Sequence, residues 1–348
     1  MLEQVLEQYD LNNSAVKIIP FGSGLINHTW LIKDSAHDFI LQKINQTVFS
    51  NPETIAYNIR LLADYLAIHY PDYLFIQPVT TRKGEDMVHL TGEGYFRLFP
   101  YVKGSHSIDI VNNPAQAFEA AQQFGRFTKL LSGIDCRLLK ITLPDFHNLT
   151  LRYRQFQLAL LNGNKQRIKE SASVIKEIQS FSDIVTTSEW LTKNHILTQR
   201  ATHHDTKISN VLFNEQGKAL CVIDLDTVMP GYFISDVGDM LRTYLSPVSE
   251  EEADFTKIEI RDEYFRAIAE GYAGEMKDEL SATEKDYFIY AGKFMIYMQA
   301  LRFLTDYINN DSYYGARYEG HNLIRANNQL VLLQRLSEKE KHLKLVSS

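Results

Sequence analysis

The segment from residue 203 to residue 226 constrains the fold of this chain more than any other. It contains a cluster of polar residues, and then an apolar hairpin whose second strand ends in two carboxylates. The polar residues are His203, His204, Asp205, Lys207, Asn210, Asp224 and Asp226. Short apolar runs separated by Asn-Glu-Gln-Gly are typical of a hairpin rather than a helix. The segment therefore predicts a β-island that presents oxygen-bearing side chains at one end.

These oxygen-bearing side chains suit phosphoryl transfer to an alcohol. The acceptor hydroxyl needs a carboxylate that takes its proton, and Asp205 fits that role. Mg²⁺ prefers hard oxygen ligands and keeps several waters, so Asn210 and Asp224 suffice to hold it, with Asp226 as a further ligand. Lys207 could reach the transferring phosphate as a cation. The pattern His-x-Asp-x₄-Asn alone would occur by chance in roughly one or two chains per hundred, but the strand and the carboxylates that follow make coincidence much rarer.

The pattern of apolar residues divides the chain into a β-rich first part and a helical remainder. In the first part it predicts strands at 16–20, 29–33, 39–44, 74–79, 86–91 and 94–99, with helices at 1–10 and 51–70. Beyond a hinge near 100–104 it predicts helices at 114–132, 150–161, 164–181, 186–199, 250–273, 281–309 and 321–340. We expect an α+β fold with a small lobe at 1–103 and a large, mostly helical lobe at 104–348, around a cleft.

Charge and cysteine content exclude several classes of protein. Acidic residues outnumber basic ones by 43 to 36, and the net charge of −7 argues against binding to nucleic acid or to an anionic membrane. Cys136 and Cys221 are too few for a disulfide framework or a cysteine-only zinc site. The N-terminus lacks the features of a signal peptide, and no apolar run approaches the roughly 20 residues of a membrane span. We therefore expect a cytoplasmic protein.

Segments outside the hairpin resemble the aminoglycoside phosphotransferase/choline kinase family. Residues 21–27, Phe-Gly-Ser-Gly-Leu-Ile-Asn, are similar to the glycine turn that this family places over the ATP phosphates. The resemblance implies that Gly22, Ser23 and Gly24 bind the nucleotide, because a backbone without Cβ can approach phosphate closely. It also implies a protein-kinase-like two-lobed fold, with an antiparallel sheet in the small lobe, and ATP and Mg²⁺ as cofactors.

The same resemblance identifies a hinge for adenine. Residues 99–104, Phe-Pro-Tyr-Val-Lys-Gly, are similar to the family's hinge, whose backbone would bind the base. The hinge residues expected to bind the nucleotide are Pro100, Tyr101 and Val102. Residues 120–131 look like the first large helix of the back lobe.

Kinases of this kind also place a lysine of the third strand against the nucleotide, and here Gln42 and Lys43 both lie on that strand. Because side chains alternate across a strand, only one of the two can face the cleft. We favour Lys43, with Glu53 as its glutamate partner on the following helix.

The chain is more similar to the N-acetylhexosamine 1-kinase branch of the family, which phosphorylates the anomeric hydroxyl of N-acetylglucosamine and N-acetylgalactosamine. The segments that carry this similarity are 41–45, 144–147, 223–231, 302–307 and 321–326. The resemblance implies that Arg302, Tyr313 and Tyr314 line a sugar pocket beside Asp205. Leu25 departs from the branch, which often has histidine at that position.

Two residues are expected to support the catalytic loop without touching the substrate. His203 is expected to shape the loop rather than to carry a proton. Asp236 resembles the family's aspartate that braces the loop.

Arg302 has an alternative to the role in the sugar pocket. It could pair with Asp306 one helical turn later, a contact worth a few tenths of a kcal/mol.

Several alternatives remain open at this point. Within the kinase class, the acceptor could be another hexose, choline or homoserine. A metal-dependent phosphohydrolase is a second class, because His204 and Asp205 form a His-Asp pair near Asp224. A nucleotide-binding module without catalysis is a third. We expect a small-molecule partner, most plainly a sugar, and a monomer or a weak homodimer.

Overall fold

A computed structural model describes residues 1–11, 16–22, 26–35 and 37–343 of the chain. These residues form a five-stranded sheet, followed by a larger part built mainly of helices with two small sheets. None of the helices in the described ranges is long and apolar enough to cross a membrane.

The first part of the chain is an antiparallel sheet covered on one face by a short helix. Its elements are α1 (Leu2–Glu7), β1 (Lys17–Pro20), β2 (His28–Lys33), β3 (Asp38–Lys43), α2 (Pro52–His69), β4 (Val88–Leu90) and β5 (Gly94–Pro100). The strand order is β1-β2-β3-β5-β4. Val5 and Leu6 of α1 pack with Leu41 and Leu98 of the sheet in a small apolar core.

Helix α2 packs with the second part of the chain rather than with this small core. Ile55 and Ile59 are buried in the large apolar core that the later helices share. Asn58 is fully buried, and its Nδ2 donates to the carbonyl oxygens of Lys140 (2.8 Å) and Val228 (2.9 Å). Its Oδ1 accepts from the N–H of Lys140 at 2.8 Å. Helix α2 is therefore bonded to Val228, a residue that follows the predicted hairpin. The lobe boundary at 103/104 stays a prediction.

The second part of the chain consists of ten helices and five short strands among the described residues. The helices are α3 (Pro114–Leu130), α4 (Leu149–Asn162), α5 (Lys165–Glu170), α6 (Ala172–Ser180), α7 (Asp183–Lys193), α8 (Phe233–Tyr244), α9 (Asp262–Glu275), α10 (Ala282–Asp286), α11 (Phe288–Ile308) and α12 (His321–Lys339). The strands are β6 (Ser105–His106), β7 (Arg200–Thr202), β8 (Val211–Asn214), β9 (Ala219–Val222) and β10 (Met229–Gly231). The predicted hairpin is β8 and β9, with β6 beside it, and β7 pairs with β10.

Several predicted elements differ from the observed ones. The predicted strand at 74–79 is wrong: only Val79 pairs, in a single bridge to Leu98. Pro78 has no N–H to donate to a ladder. The predicted helix at 164–181 is two helices, because Ser171 lies between them with its hydroxyl bonded to the carbonyl oxygen of Arg167 at 2.7 Å.

Other predicted helices have different bounds. The helix predicted at 186–199 is α7, which ends before His195 adopts a left-handed backbone with φ of 52°. The helix predicted at 250–273 is α9, which begins only at Asp262. The helix predicted at 281–309 is α10 and α11, with Tyr287 between them.

Helix α8 was not predicted from the sequence at all. Ten of its twelve residues are buried, and its polar side, which includes Asp236 and Asp239, faces the loop before β8 rather than solvent. A Cβ on Gly238 would lie 2.4 Å from the carbonyl oxygen of Ala291 on α11. Glycine at this position therefore allows the two helices to approach closely.

The position of Asn58 predicts a large stability effect. Asn58→Leu should lower the free energy of unfolding by about 2–4 kcal/mol, since it leaves one buried and two partly buried backbone groups unpaired. Urea unfolding followed by circular dichroism measures this. Asn51→Ala is the matched control, because Asn51 precedes the same helix without a side-chain cap hydrogen bond. Equal effects of the two substitutions would contradict the assignment.

Candidate active site

The loop that carries Asp205 is held by a buried carboxylate of α8. Asp236 accepts hydrogen bonds from the backbone N–H groups of His203 (3.2 Å) and His204 (2.7 Å). Burial raises the pKa of Asp236 to about 7, although both hydrogen bonds act in the opposite direction. The residues that precede Asp205 are thereby fixed to the helix.

The residue after Asp205 is fixed by three further contacts. The N–H of Thr206 donates to Asp239 at 2.9 Å, and its hydroxyl donates to the carbonyl oxygen of Asp236 at 2.7 Å. The hydroxyl of Tyr244 donates to the carbonyl oxygen of Thr206 at 2.6 Å. Asp205 therefore lies between two anchored neighbours, and its backbone has little freedom.

His203 connects this loop to the hairpin. Its Nε2 lies 3.0 Å from the carbonyl oxygen of Ile223, and its Nδ1 lies 3.4 Å from the N–H of Asp205. A neutral ring with its proton on Nε2 satisfies both contacts. Burial lowers the pKa of His203, which also favours the neutral ring.

Asp205 and Lys207 form an ion pair at the surface of the cleft. Nζ of Lys207 lies 3.2 Å from Oδ2 of Asp205, whose side chain is 21% exposed. Burial lowers the pKa of Lys207, but the negative charges of Asp205 and Asp239 outweigh this and raise it. Lys207 is therefore a cation beside a carboxylate that solvent can reach.

Asn210 and Asp224 lie at the end of the hairpin. The N–H of Ile223 donates to the carbonyl oxygen of Asn210 at 2.8 Å. Nδ2 of Asn210 donates to the carbonyl oxygen of Asp205 at 2.9 Å, so its amide oxygen is the atom left for a cation. Asp224 has a left-handed backbone with φ of 59° and an exposed side chain. The surrounding protein still desolvates it, and together with the charges of Asp226 and Asp205 this raises its pKa to about 7.

Asp226 is held by residues of the front sheet. Nη1 of Arg97 lies 2.5 Å from its Oδ1, and Nδ2 of Asn27 donates to its Oδ2 at 2.9 Å. Oε1 of Gln42 accepts from Nε (3.1 Å) and Nη2 (2.8 Å) of Arg97. Oδ1 of Asn27 accepts from the N–H of Asn45 at 3.0 Å. The front sheet and the hairpin therefore meet at this carboxylate.

The choice of Lys43 over Gln42 as the cleft-facing residue is wrong in this structure. Gln42 accepts a hydrogen bond from Arg97, which in turn contacts Asp226, so Gln42 lies on the cleft face of β3. Because side chains alternate across a strand, Lys43 lies on the opposite face. Nζ of Lys43 lies 3.5 Å from Oε2 of Glu93. Glu53, the expected partner of Lys43, instead accepts from the hydroxyl of Tyr95 at 3.4 Å.

The predicted glycine turn is only partly described. Gly22 has φ of 79°, a left-handed conformation that favours glycine, and is exposed. Ser23, Gly24 and Leu25 lie outside the described residues. The nucleotide-binding role of the turn stays a prediction.

The predicted hinge follows β5 directly. The N–H of Tyr101 donates to the carbonyl oxygen of Asp38 at 3.0 Å, and Pro100 has no N–H. The ring of Tyr101 makes an edge contact with Phe21, at 6.3 Å between centroids. Val102 is thus the hinge residue whose N–H could serve a bound base.

The residues predicted for the acceptor line one cavity of about 440 Å³ in the helical part. The guanidinium carbon of Arg302 lies 5.8 Å from the ring centroid of Tyr313 and 5.3 Å from that of Tyr314. Asp306 accepts from the N–H groups of both tyrosines, at 2.7 and 2.9 Å. Its predicted alternative role as an ion-pair partner of Arg302 is not observed. Arg152 lines the same cavity.

The cavity is basic. Burial and the nearby charge of Arg302 lower the pKa of Arg152, whose Nη1 donates to Gln155 at 3.1 Å. Nη1 of Arg302 donates to Gln299 at 3.3 Å. Neither arginine forms an ion pair with a carboxylate in the part of the chain that the structure describes. Their charge is therefore available to a ligand.

A histidine pair connects the catalytic loop with the segment before α4, the helix that carries Arg152. Nδ1 of His204 lies 3.3 Å from Nδ1 of His147. Burial lowers the pKa of His204 to about 4. Burial and the positive charge of Arg302, among others, hold the pKa of His147 well below its usual range. Both rings are neutral near pH 7, and a neutral pair can share one proton between the two Nδ1 atoms.

Oxygen ligands at the hairpin fit a hard cation such as Mg²⁺. Asn210 offers an amide oxygen, and Asp224 offers a carboxylate whose pKa is raised by desolvation and by the charges of Asp226 and Asp205. Asp226 is already in contact with Arg97. Over 1–11, 16–22, 26–35 and 37–343, no three His, Cys, Asp or Glu side chains converge as a ready-made metal cluster. A cation here would rely on phosphate and water for its remaining ligands.

The contacts of Arg97 and Asn27 with Asp226 were not predicted. A signal was available, because β5 reads Gly-Tyr-Phe-Arg-Leu-Phe-Pro and places one arginine in an apolar strand. A charged side chain in such a position is buried only with a partner. The role of Asp239 at Thr206 depends on α8 and had no comparable signal.

Asp224→Asn should raise the thermal stability of the metal-free protein. The folded state raises the pKa of this carboxyl from 3.8 to about 7, so ionisation of Asp224 destabilises the folded protein. This destabilisation is absent below pH 3.8 and reaches its full size above about pH 7. We expect Tm to rise by about 2–4 °C at pH 8 and by less at pH 5. Calorimetry in the presence of a chelator measures this.

Asp236→Asn is the matched comparison, since the pKa of Asp236 is also raised to about 7. This carboxylate accepts two buried backbone N–H groups, which an amide cannot both satisfy, so Tm should fall. A fall in Tm at Asp224, or a gain that does not depend on pH, would contradict the assignment.

Solved enzymes share the fold. An aminoglycoside phosphotransferase from Alicyclobacillus acidocaldarius matches with a TM-score of 0.65 and 14% identity, over 98% of this chain and 96% of that one. A microcompartment-associated aminopropanol kinase matches with a TM-score of 0.63 and 18% identity, over 99% and 98%. An amicoumacin kinase in complex with AMP-PNP, Ca²⁺ and Ami matches with a TM-score of 0.61 and 16% identity, over 99% and 94%.

The phosphotransferase enzyme family matches residues 17–277, well over half of the chain. The predicted protein-kinase-like α+β fold is confirmed, as is the predicted small-molecule phosphotransferase enzyme. The N-acetylhexosamine branch is not confirmed and stays a prediction. By this match, the chain belongs to the phosphotransferase enzyme family.

Proposed function

We propose that this enzyme transfers the γ-phosphoryl group of Mg·ATP to a hydroxyl group of a small molecule bound in the basic cavity. The observation that carries the proposal is the carboxylate of Asp205, partly open to solvent on a loop fixed on both sides by α8. Asp205 takes the proton of the acceptor hydroxyl as the new O–P bond forms and the bond to ADP breaks. Lys207 stabilises the charge on the transferring phosphate.

The nucleotide is proposed to bind between the glycine turn and the hinge. The backbone of Gly22, Ser23 and Gly24 would contact the phosphates. The N–H of Val102 would donate to the adenine, since the N–H of Tyr101 is already used within the protein. Pro100 would contribute only its carbonyl oxygen and its ring.

Asn210, Asp224 and Asp226 are proposed to hold Mg²⁺. When bound, the ion would neutralise charge on the phosphates. The raised pKa of Asp224 supports this assignment, because a carboxylate that lacks a compensating cation gains most from one. His203 and Asp236 keep the loop in place and touch no substrate.

The acceptor is proposed to be an N-acetylhexosamine, phosphorylated at its anomeric hydroxyl. Support comes from a cavity large enough for a monosaccharide, with Arg302, Tyr313 and Tyr314 as hydrogen-bond donors. The unpaired charges of Arg152 and Arg302 disfavour choline and other cationic acceptors. They favour, as a second candidate, a hydroxy acid such as homoserine, whose carboxylate would pair with a guanidinium.

Asp205→Asn should lower turnover by about 10²–10⁴-fold without changing Tm by more than a few degrees, because the amide cannot accept the proton. ADP formation with Mg·ATP and the best acceptor measures this. Asp286→Asn, at the exposed end of α10, is the control and should keep full activity. Near-full turnover of Asp205→Asn would remove the proposed base.

The acceptor is identified by ADP formation with N-acetylglucosamine, N-acetylgalactosamine, glucose, galactose, mannose, choline and homoserine. We expect turnover with an N-acetylated hexosamine and none with choline. Turnover with homoserine alone would replace the sugar by the second candidate. Phosphate release without any acceptor would favour a phosphohydrolase instead.

Arg302→Leu and Arg152→Leu should each raise KM for the acceptor by about tenfold or more, with a smaller effect on kcat, since each removes a charged hydrogen-bond donor. Arg154→Leu is the matched control, because Arg154 is exposed on the same helix as Arg152. An unchanged KM in both cavity variants would place the acceptor elsewhere.

A further inference from the structure

Arg97 is a buried charge at the boundary between the front sheet and the hairpin. Its side chain is 1% exposed, and that of Asp226 is 2% exposed. The idealised cost of burying such charges is large, and a buried pair contributes little net stability compared with apolar residues. A role in binding would account for this pair better than a role in stability.

The guanidinium is fixed by Gln42 and aimed at Asp226. Oε1 of Gln42 accepts from Nε and Nη2, which directs Nη1 towards the carboxylate. The guanidinium also lies over the ring of Phe99, at 4.9 Å from its centroid. An arginine held in this way is pre-organised for an anion.

The contact between Arg97 and Asp226 leaves both partners with unused capacity. Nη1 and Oδ1 lie 2.5 Å apart, yet neither atom makes an aligned hydrogen bond within the described residues. The remaining oxygen of Asp226 is bonded to Asn27. A phosphate oxygen at Nη1 and a cation at Oδ1 would satisfy both atoms.

The negative charge of a bound nucleoside triphosphate requires a cationic side chain nearby. Asp205, Asp224 and Asp226 already make the cleft negative, so bound phosphates need cations beyond Mg²⁺. Lys207 is assigned to the transferring phosphoryl group, and Lys43 lies on the other face of the sheet, so neither is assigned to the remaining phosphates.

We propose that Arg97 is a phosphate-binding residue of the nucleotide site, which pairs with Asp226 in the free protein and with a phosphate oxygen when Mg·nucleotide binds. This inference rests on the proposed phosphotransfer from ATP. Because Arg97 and Asp226 are both buried, the front sheet and the hairpin must separate by about the width of the inserted group. Gln42 acts as a positioning residue that keeps the guanidinium in place.

The test is calorimetric titration of the whole chain with adenosine, Mg·ADP and a non-hydrolysable Mg·ATP analogue. Arg97→Met should weaken binding of the ATP analogue by about 10- to 100-fold and leave adenosine affinity unchanged. Arg97→Lys should recover part of the loss. Lys43→Met is the matched control on the same sheet and should change every affinity by less than about twofold.

Comparing the affinity losses for adenosine and for the ATP analogue separates a phosphate contact from a general structural effect of the substitution. Equal losses for adenosine and the ATP analogue, no loss at Arg97, or a phosphate-dependent loss at Lys43 would each overturn the inference. If Arg97→Met does not fold, Gln42→Leu decides: a loss of about 3- to 10-fold for the ATP analogue alone supports it, and no loss overturns it.

The two proposals fail in different ways. A wild-type protein that binds no Mg·nucleotide overturns the proposed function and the inference together. A wild-type protein that binds Mg·ATP with the same affinity as the Arg97 and Gln42 variants overturns the inference alone.

Discussion

The two hydrogen bonds that Asp236 accepts from His203 and His204 are the interaction on which the candidate site depends. A buried N–H without a partner costs about 1–3 kcal/mol, and here one carboxylate satisfies two of them. The cost falls on the carboxyl group, whose pKa burial raises to about 7. In return, the loop cannot shift relative to α8, and Asp205 keeps one position towards the cleft.

Helix α8 can hold the loop only because it is enclosed on all sides. Gly238 lets its backbone approach α11 closely, and the opposite side carries the carboxylates that bond the loop. The helix was missed because of its local composition, not because its periodicity is absent. Its polar residues lie on one side, as in an amphipathic helix, but the run Ser-Asp-Val-Gly-Asp at 235–239 has the composition of a turn or loop.

Local pattern was enough to predict the hairpin, its polar cluster and most helices of the second part, since each depends on residues close in sequence. Local pattern was not enough to predict on which face of a strand a given side chain lies. Whether Gln42 or Lys43 meets the cleft depends on which face of the sheet α1 covers and on the residue opposite in β5. Arg97 pairs in register with Gln42, and reading the two strands together would have favoured Gln42, because a buried arginine needs an acceptor beside it.

The three carboxylates of the cleft differ in whether a cation of the protein lies beside them. Asp205 has Lys207 at 3.2 Å, and Asp226 has Arg97 at 2.5 Å, so each has a cation of the protein beside it. Asp224 has no such partner among the described residues, and its pKa is raised to about 7. Desolvation, with the charges of Asp226 and Asp205 added to it, therefore acts on a carboxylate that has no cation of the protein beside it. The ionised carboxylate of Asp224 costs free energy while the site holds no cation. A bound cation would remove this cost, so the arrangement strengthens cation binding.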